Sequence, residues 1–175
     1  MISDALARFR SRSSKQHPPR PGPPDGWTLL AAWGPCGFSP VAPGTVGTLG
    51  AIPLAWALAS LGAPALWLGA ALLFPLSVAA STRAGRYWQV VDASGIVIDE
   101  VIGYLVTMLL VPFGWRTAAL GFLLFRLFDI LKPWPASAFD RVKSGFGVVM
   151  DDVAAGAWAA LLLWAAVRWL PGVFP

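Results

Sequence analysis

The sequence predicts an all-α fold: a polytopic membrane bundle of four to five apolar helices with a polar site on its cytoplasmic face. Three observations lead there. The 175 residues are 57% hydrophobic and 13% charged, with mean hydropathy +0.64, whereas soluble domains are about 45–50% apolar and about 25% charged. Ten tryptophans suit the aromatic belts of a bilayer surface. Seven of the nine acids lie between Asp92 and Asp152, and none lies between residues 26 and 91, so the polar chemistry is concentrated in one part of an apolar chain.

Taken in order, residues 1–26 read as a flexible, basic, Pro-rich arm. The arm holds Arg8, Arg10, Arg12, Lys15 and Arg20 with five prolines, and no apolar run is long enough for a signal peptide. A positive N-terminus stays in the cytoplasm. The net charge of +4 points to an anionic membrane surface, and no nucleic-acid-binding motif is present. Residues 27–175 then form one membrane-embedded domain. The lone Cys36 excludes an internal disulfide and a multi-Cys metal site, and the lone His17 lies in the arm.

Trp27–Trp33 is a short apolar stretch, interfacial or packed on the first span. Residues 34–50 are rich in Gly, Pro and Thr and lead into a helix. Glycine lets backbone N–H groups approach a ligand, and a helix N-terminus favours an anion, so a phosphate could dock at Thr45 and Thr48. A loop that merely packs closely at the membrane fits the stretch equally well, and no Gly-Lys-Ser/Thr follows to make it a Walker loop. Apolar helices follow at 46–61 and 65–82, then at 101–111 and 117–131, and last at 153–170, stopped by Pro171-Gly172. A span takes about 20 apolar residues, so the segment from 101 is short unless it includes Ile96–Ile98. Alternating the crossings places Arg83, Arg86, Arg126, Lys132, Arg141 and Lys143 on the side of the arm, the cytoplasmic side.

The acids form a repeat. In Gly95-Ile-Val-Ile-Asp-Glu-Val-Ile-Gly103 and Gly147-Val-Val-Met-Asp-Asp-Val153, a glycine stands four residues before a pair of adjacent acids. Each pair, Asp99 with Glu100 and Asp151 with Asp152, opens an apolar segment. Acids favour helix N-termini, which explains one acid per start better than two. Carboxylates without Cys or His suit Mg²⁺, which bridges acids to a substrate phosphate. Arg126, Lys132 and Arg141 would complement the phosphate charge, and Asp129 stands at i, i+3 from Arg126 on one helix face. A salt-bridged rim that orients the helices is the alternative. Cys36 lacks the arginine that a cysteine phosphatase needs a few residues on, and a single histidine excludes the two-histidine lipid phosphatases. Asp-x-Asp nucleophile motifs and the acid motif of CDP-alcohol phosphotransferases are absent.

Four segments resemble the bacterial phosphatidylglycerophosphatase A family. They are Gly-Phe-Ser-Pro-Val-Ala-Pro-Gly-Thr-Val-Gly-Thr-Leu (37–49), Ile-Val-Ile-Asp-Glu-Val-Ile-Gly (96–103), Phe-Arg-Leu-Phe-Asp-Ile-Leu-Lys-Pro-Trp-Pro (125–135) and Gly-Val-Val-Met-Asp-Asp-Val-Ala-Ala-Gly (147–156). Their order and spacing are similar to the family's, with Thr48 where serine is more usual. The resemblance implies a Mg²⁺-dependent, multi-pass phosphatase of the bacterial inner membrane with its active site facing the cytoplasm. It would convert phosphatidylglycerophosphate to phosphatidylglycerol in anionic phospholipid synthesis. On this expectation Asp99, Glu100, Asp151 and Asp152 are metal ligands or a base, for one ion or two. Arg126, Lys132, Arg141, Thr45 and Thr48 hold the phosphate, and Asp129 ligates or orients Arg126. The competing reading is a non-enzymatic cation-binding scaffold or transporter subunit. The apolar helix centres, such as Leu105–Leu110 and Leu120–Leu124, disfavour a continuous ion path. Small residues at Gly69–Ala71 and Gly156-Ala157 permit close packing within one chain or between chains, which leaves the oligomeric state open.

Overall fold

The structure, a computed structural model, describes residues 22–170 and Phe174. Most of the basic arm, His17 included, and the Pro171-Gly172 stop lie outside the described residues. Among those described there are seven α-helices, one 3-10 turn and no strand. The helices are α1 (Gly26–Ala31), α2 (Pro43–Ser60), α3 (Ala63–Tyr87), α4 (Ile98–Met108), α5 (Trp115–Leu131), α6 (Ala136–Phe139) and α7 (Gly145–Trp169), with the 3-10 turn at Cys36–Phe38 between α1 and α2.

The short apolar stretch near residue 27 becomes α1, begun by Asp25, whose side chain accepts from the Thr28 N–H at 2.8 Å. Hydrogen bonding by Thr28 holds the Asp25 carboxyl below the usual carboxylate range. Arg83 of α3 lies over the Trp27 ring at 4.1 Å, which ties α1 to the end of α3.

The centre of the bundle is α4. Every one of its residues except Val106 is buried, and it packs most extensively on α7, then on α2, α3 and α5. Val101, Ile102, Leu105 and Met108 meet Phe125, Ala155, Ala159 and Leu163 in the main core. The Tyr104 hydroxyl donates to the Ala118 carbonyl at 3.1 Å, binding α4 to α5 from inside.

The span expectation changes in number. α3 and α7, with 25 residues each, are long and apolar enough to cross a membrane, at about 37 Å by helical rise against a hydrocarbon core of about 30 Å. Leu68 and Leu72 of α3 are 60% and 64% exposed, an outward apolar surface of the kind that lipid covers. With 11 residues, α4 reaches about 16 Å and is too short to cross. It ends at Met108 because Pro112-Phe-Gly-Trp115 turns the chain. α2 has Gly, Pro and Thr through its first turns, α5 holds Arg116, Arg126 and Asp129, and neither meets the criterion. The described residues thus hold two helices long and apolar enough to cross, with shorter helices packed against them.

A second correction concerns the last helix. It begins at Gly145, eight residues before the predicted start, with Ser144 as N-cap accepting from the Gly147 N–H at 3.2 Å. Asp151 and Asp152 therefore lie in the second turn of α7 and do not open it. Helix-terminus chemistry accounts for the α4 acids, which occupy its first turn, but not for these two.

Candidate functional site

Two glycines set the site. A Cβ on Gly156 would collide with the Gly103 carbonyl oxygen and stand 3.1 Å from its carbon, and a Cβ on Gly103 would stand 2.9 Å from the Asp152 carbonyl oxygen. Here α4 and α7 cross backbone to backbone, a contact that side chains would prevent. The Thr107 hydroxyl spans the crossing, donating to the Gly103 carbonyl at 3.0 Å with the Gly156 carbonyl at 3.5 Å. Gly103 stands four residues after Asp99, and Gly156 stands four after Asp152. One turn from the crossing, on the same face of each helix, the acids are brought together.

Asp99, Glu100 and Asp152 each contribute a carboxylate oxygen to a cluster whose members all lie within 4.8 Å of one another. All three residues are buried. Among the described residues, Asp99 Oδ1, Glu100 Oε2 and Asp152 Oδ1 are enclosed and have no hydrogen-bond partner. Burying carboxylates costs several kcal/mol each unless their charge is answered, and here three stand together with Arg126 3.7 Å from Glu100. A hard divalent cation fits this set: all donors are oxygen, and two ligands on opposite sides of Mg²⁺ stand about 4.2 Å apart. Side-chain movements of less than about 1 Å close the difference.

Three other elements close the same end of the bundle. Arg126 of α5 reaches Glu100 at 3.7 Å and Asp129, one turn on, at 2.7 Å. The first turn of α2 leans on this pair: a Cβ on Gly44 would overlap Glu100 Oε1 and stand 3.2 Å from Arg126 Nη1. The chain enters α2 through Ala42 at φ 45°, a left-handed conformation that costs a non-glycine residue about 1–2 kcal/mol. The N-cap Ala42 offers no capping side chain, and the N–H groups of Gly44 and Thr45 open the helix beside the arginine.

Lys132 occupies the C-cap of α5, also left-handed at φ 47°. Its buried ammonium pairs with Asp151 of α7 and, at 2.6 Å, with Asp140 after α6. Asp140, Lys143 and Asp151 line a small cleft that opens to the surface.

The predicted residues therefore divide into groups. Asp99, Glu100, Asp152, Arg126 and Asp129 meet in one constellation. Asp151 and Lys132 form a neighbouring ion pair. Arg141 is exposed on the rim and Thr45 is half-buried at the start of α2. Thr48 is buried and donates to the Gly44 carbonyl at 2.8 Å within its own helix. Sequence reasoning missed the part played by Gly44, which has no partner signal in the chain. It marked Gly156 as a close-packing residue but missed its match with Gly103, although an acid followed four residues later by glycine occurs in both repeats. Asp140 reaches Lys132 across a Pro-Trp-Pro turn, which no periodicity reveals.

With the geometry described, the family model for phosphatidylglycerophosphatase A matches residues 29–167. This chain belongs to the phosphatidylglycerophosphatase A family. Phosphatidylglycerophosphatase A of Escherichia coli (strain K12) is 37% identical over 140 residues, covering 79% of this chain and 81% of that protein. The Haemophilus influenzae protein of the same name is 35% identical over 145 residues, covering 81% and 89%. A Bacteroides thetaiotaomicron protein named "Putative phosphatidylinositol-3-phosphatase" is 38% identical over 146 residues, covering 78% and 89%. No solved structure matches. Members of the phosphatidylglycerophosphatase A family are phosphoric monoester hydrolases, and the apolar helices agree with a membrane protein. All four resembling segments lie within the match, and they supply the four walls of the site: the start of α2, the start of α4, the end of α5 and the start of α7.

Proposed function

We propose that this protein hydrolyses phosphatidylglycerophosphate to phosphatidylglycerol and phosphate. The site would lie at the cytoplasmic face of the bacterial inner membrane, with Mg²⁺ held by Asp99, Glu100 and Asp152. The observation that carries the reading is the buried trio of carboxylates with unpartnered oxygens beside an arginine. A bound Mg²⁺ would neutralise that charge and polarise the phosphoryl oxygens.

The chain's own groups do the rest. Asp129 fixes the Arg126 guanidinium, which presents its remaining N–H donors to the phosphate in fork geometry. The open N–H groups at the start of α2, beside Gly44, take a further phosphoryl oxygen. Hydrolysis forms a P–O bond to water and breaks the P–O bond to the glycerol oxygen. A carboxylate of the trio accepts the water proton, and the leaving oxygen takes a proton in exchange. Trp134, 76% exposed and two residues beyond Lys132, suits headgroup depth, so the lipid tails stay in the bilayer while the phosphate enters. The cytoplasmic orientation rests on Arg83, Arg86, Arg141 and Lys143, which are exposed near this end.

The test is phosphate release from phosphatidylglycerophosphate in mixed micelles, titrated with Mg²⁺ against an EDTA blank, with phosphatidylinositol 3-phosphate run in parallel. The reading expects Mg²⁺-dependent release and preference for phosphatidylglycerophosphate. Preference for the phosphoinositide would overturn the substrate. No release from folded protein at any Mg²⁺ level would favour the scaffold reading.

A further inference from the structure

The two acids of the second repeat are adjacent in sequence but face different partners. Asp152 joins Asp99 and Glu100. Asp151 is buried against the ammonium of Lys132. Neighbouring residues on a helix project about 100° apart, so α7 can send one carboxylate toward α4 and the next toward the end of α5. We propose that Lys132 is a positioning residue that withdraws Asp151 from the cation site, so that the ion is held by three carboxylates and Asp151 anchors the fold. The inference rests on the cation-site reading and narrows it.

Two independent features support the assignment. Lys132 stands at a left-handed C-cap, φ 47°, where glycine is the usual residue because a side chain is strained there. A lysine tolerated at such a position and turned inward is held by what its side chain binds. In addition, Asp140 takes the same ammonium at 2.6 Å from the α6 side, and its side chain is 37% exposed. The lysine thereby joins α5, the turn after α6, and α7, fixing the angle at which α7 presents its acids. The lysine offsets part of the Asp151 charge, and the trio remains a concentration of negative charge that a divalent cation answers.

The experiment measures Mn²⁺ binding by electron paramagnetic resonance, with thermal unfolding alongside, on the full chain in detergent. Four variants are compared with the parent: Asp152→Asn, Asp151→Asn, Lys132→Met and Lys132→Met/Asp151→Asn. Asp152→Asn is expected to weaken binding at least 30-fold, and Asp151→Asn by less than threefold. Lys132→Met removes the ammonium from a buried acid and should unfold about 5 °C or more below the parent. Its freed carboxylate should also tighten Mn²⁺ binding at least threefold, an effect that a purely structural brace would not produce. Adding Asp151→Asn should reverse both changes. If Asp151→Asn weakens binding as much as Asp152→Asn, Asp151 is a ligand and the proposal fails. It fails too if Lys132→Met leaves binding unaltered. If the folded parent binds no Mn²⁺, the cation-site reading itself falls, and this inference with it.

Discussion

The acid pairs of α4 and α7 look alike in sequence and differ in the structure. Asp99 and Glu100 lie in the first turn of an 11-residue helix that is buried on nearly all sides, and both enter the cluster. Asp151 and Asp152 lie in the second turn of a 25-residue helix, and they separate, one to the cluster and one to Lys132. The difference teaches that a repeated motif fixes the depth of charged groups along a bundle, while the partners around each helix fix their direction. Glycine in both repeats sets the depth, and a lysine present beside only one pair sets the division of roles.

The largest expected effect concerns what the pairs share. Asp99→Asn and Asp152→Asn should each lower phosphate release at least about 100-fold, since even outer-shell partners of a metal are worth about 10–100-fold. Comparable losses from α4 and α7 in micelle assays would confirm one site built by two helices, whereas loss from only one would separate them. Next comes the crossing that aligns the pairs. Gly156→Val forces a side chain into the Gly103 backbone and should destabilise by about 1–3 kcal/mol as overpacking does, read by thermal unfolding in detergent, with activity falling further than stability. Arg126→Lys keeps the charge but loses the planar fork, and should raise KM about tenfold, about 1.4 kcal/mol, with a smaller change in kcat. The smallest effect tests where α7 begins. Ser144→Ala removes its N-cap and should cost about 1 kcal/mol, while activity per folded molecule is retained. A neutral Ser144→Ala would return the helix start toward the acids.

Much of this was legible in the sequence. The bounds 117–131 and 46–61 lie within a few residues of α5 and α2, because apolar runs ended by Pro and Gly turns are read directly. The convergence of Asp99, Glu100, Asp152 and Arg126 was legible from charge concentrated in an apolar chain. The start of α7 was misread because acids favour helix N-termini, whereas Ser144 with Gly145 and Gly147 supplies the true start. Length and apolarity single out α3 and α7 as candidate spans among the four to five apolar helices expected, and apolarity identifies both lipid-facing and protein-buried helices, of which α4 is the second kind. The direction of Asp151 depends on Lys132, 19 residues away across two turns, and local pattern carries no such contact.

The central claim is that α4 and α7 hold one divalent cation between Asp99, Glu100 and Asp152. The most direct measurement is the anomalous scattering of Mn²⁺ in crystals of the protein grown in lipid. The account predicts a peak within coordination distance of at least one carboxylate oxygen from each helix, with Asp151 still on Lys132. A folded protein whose only ordered Mn²⁺ sits elsewhere, for example in the rim cleft by Asp140, would contradict it.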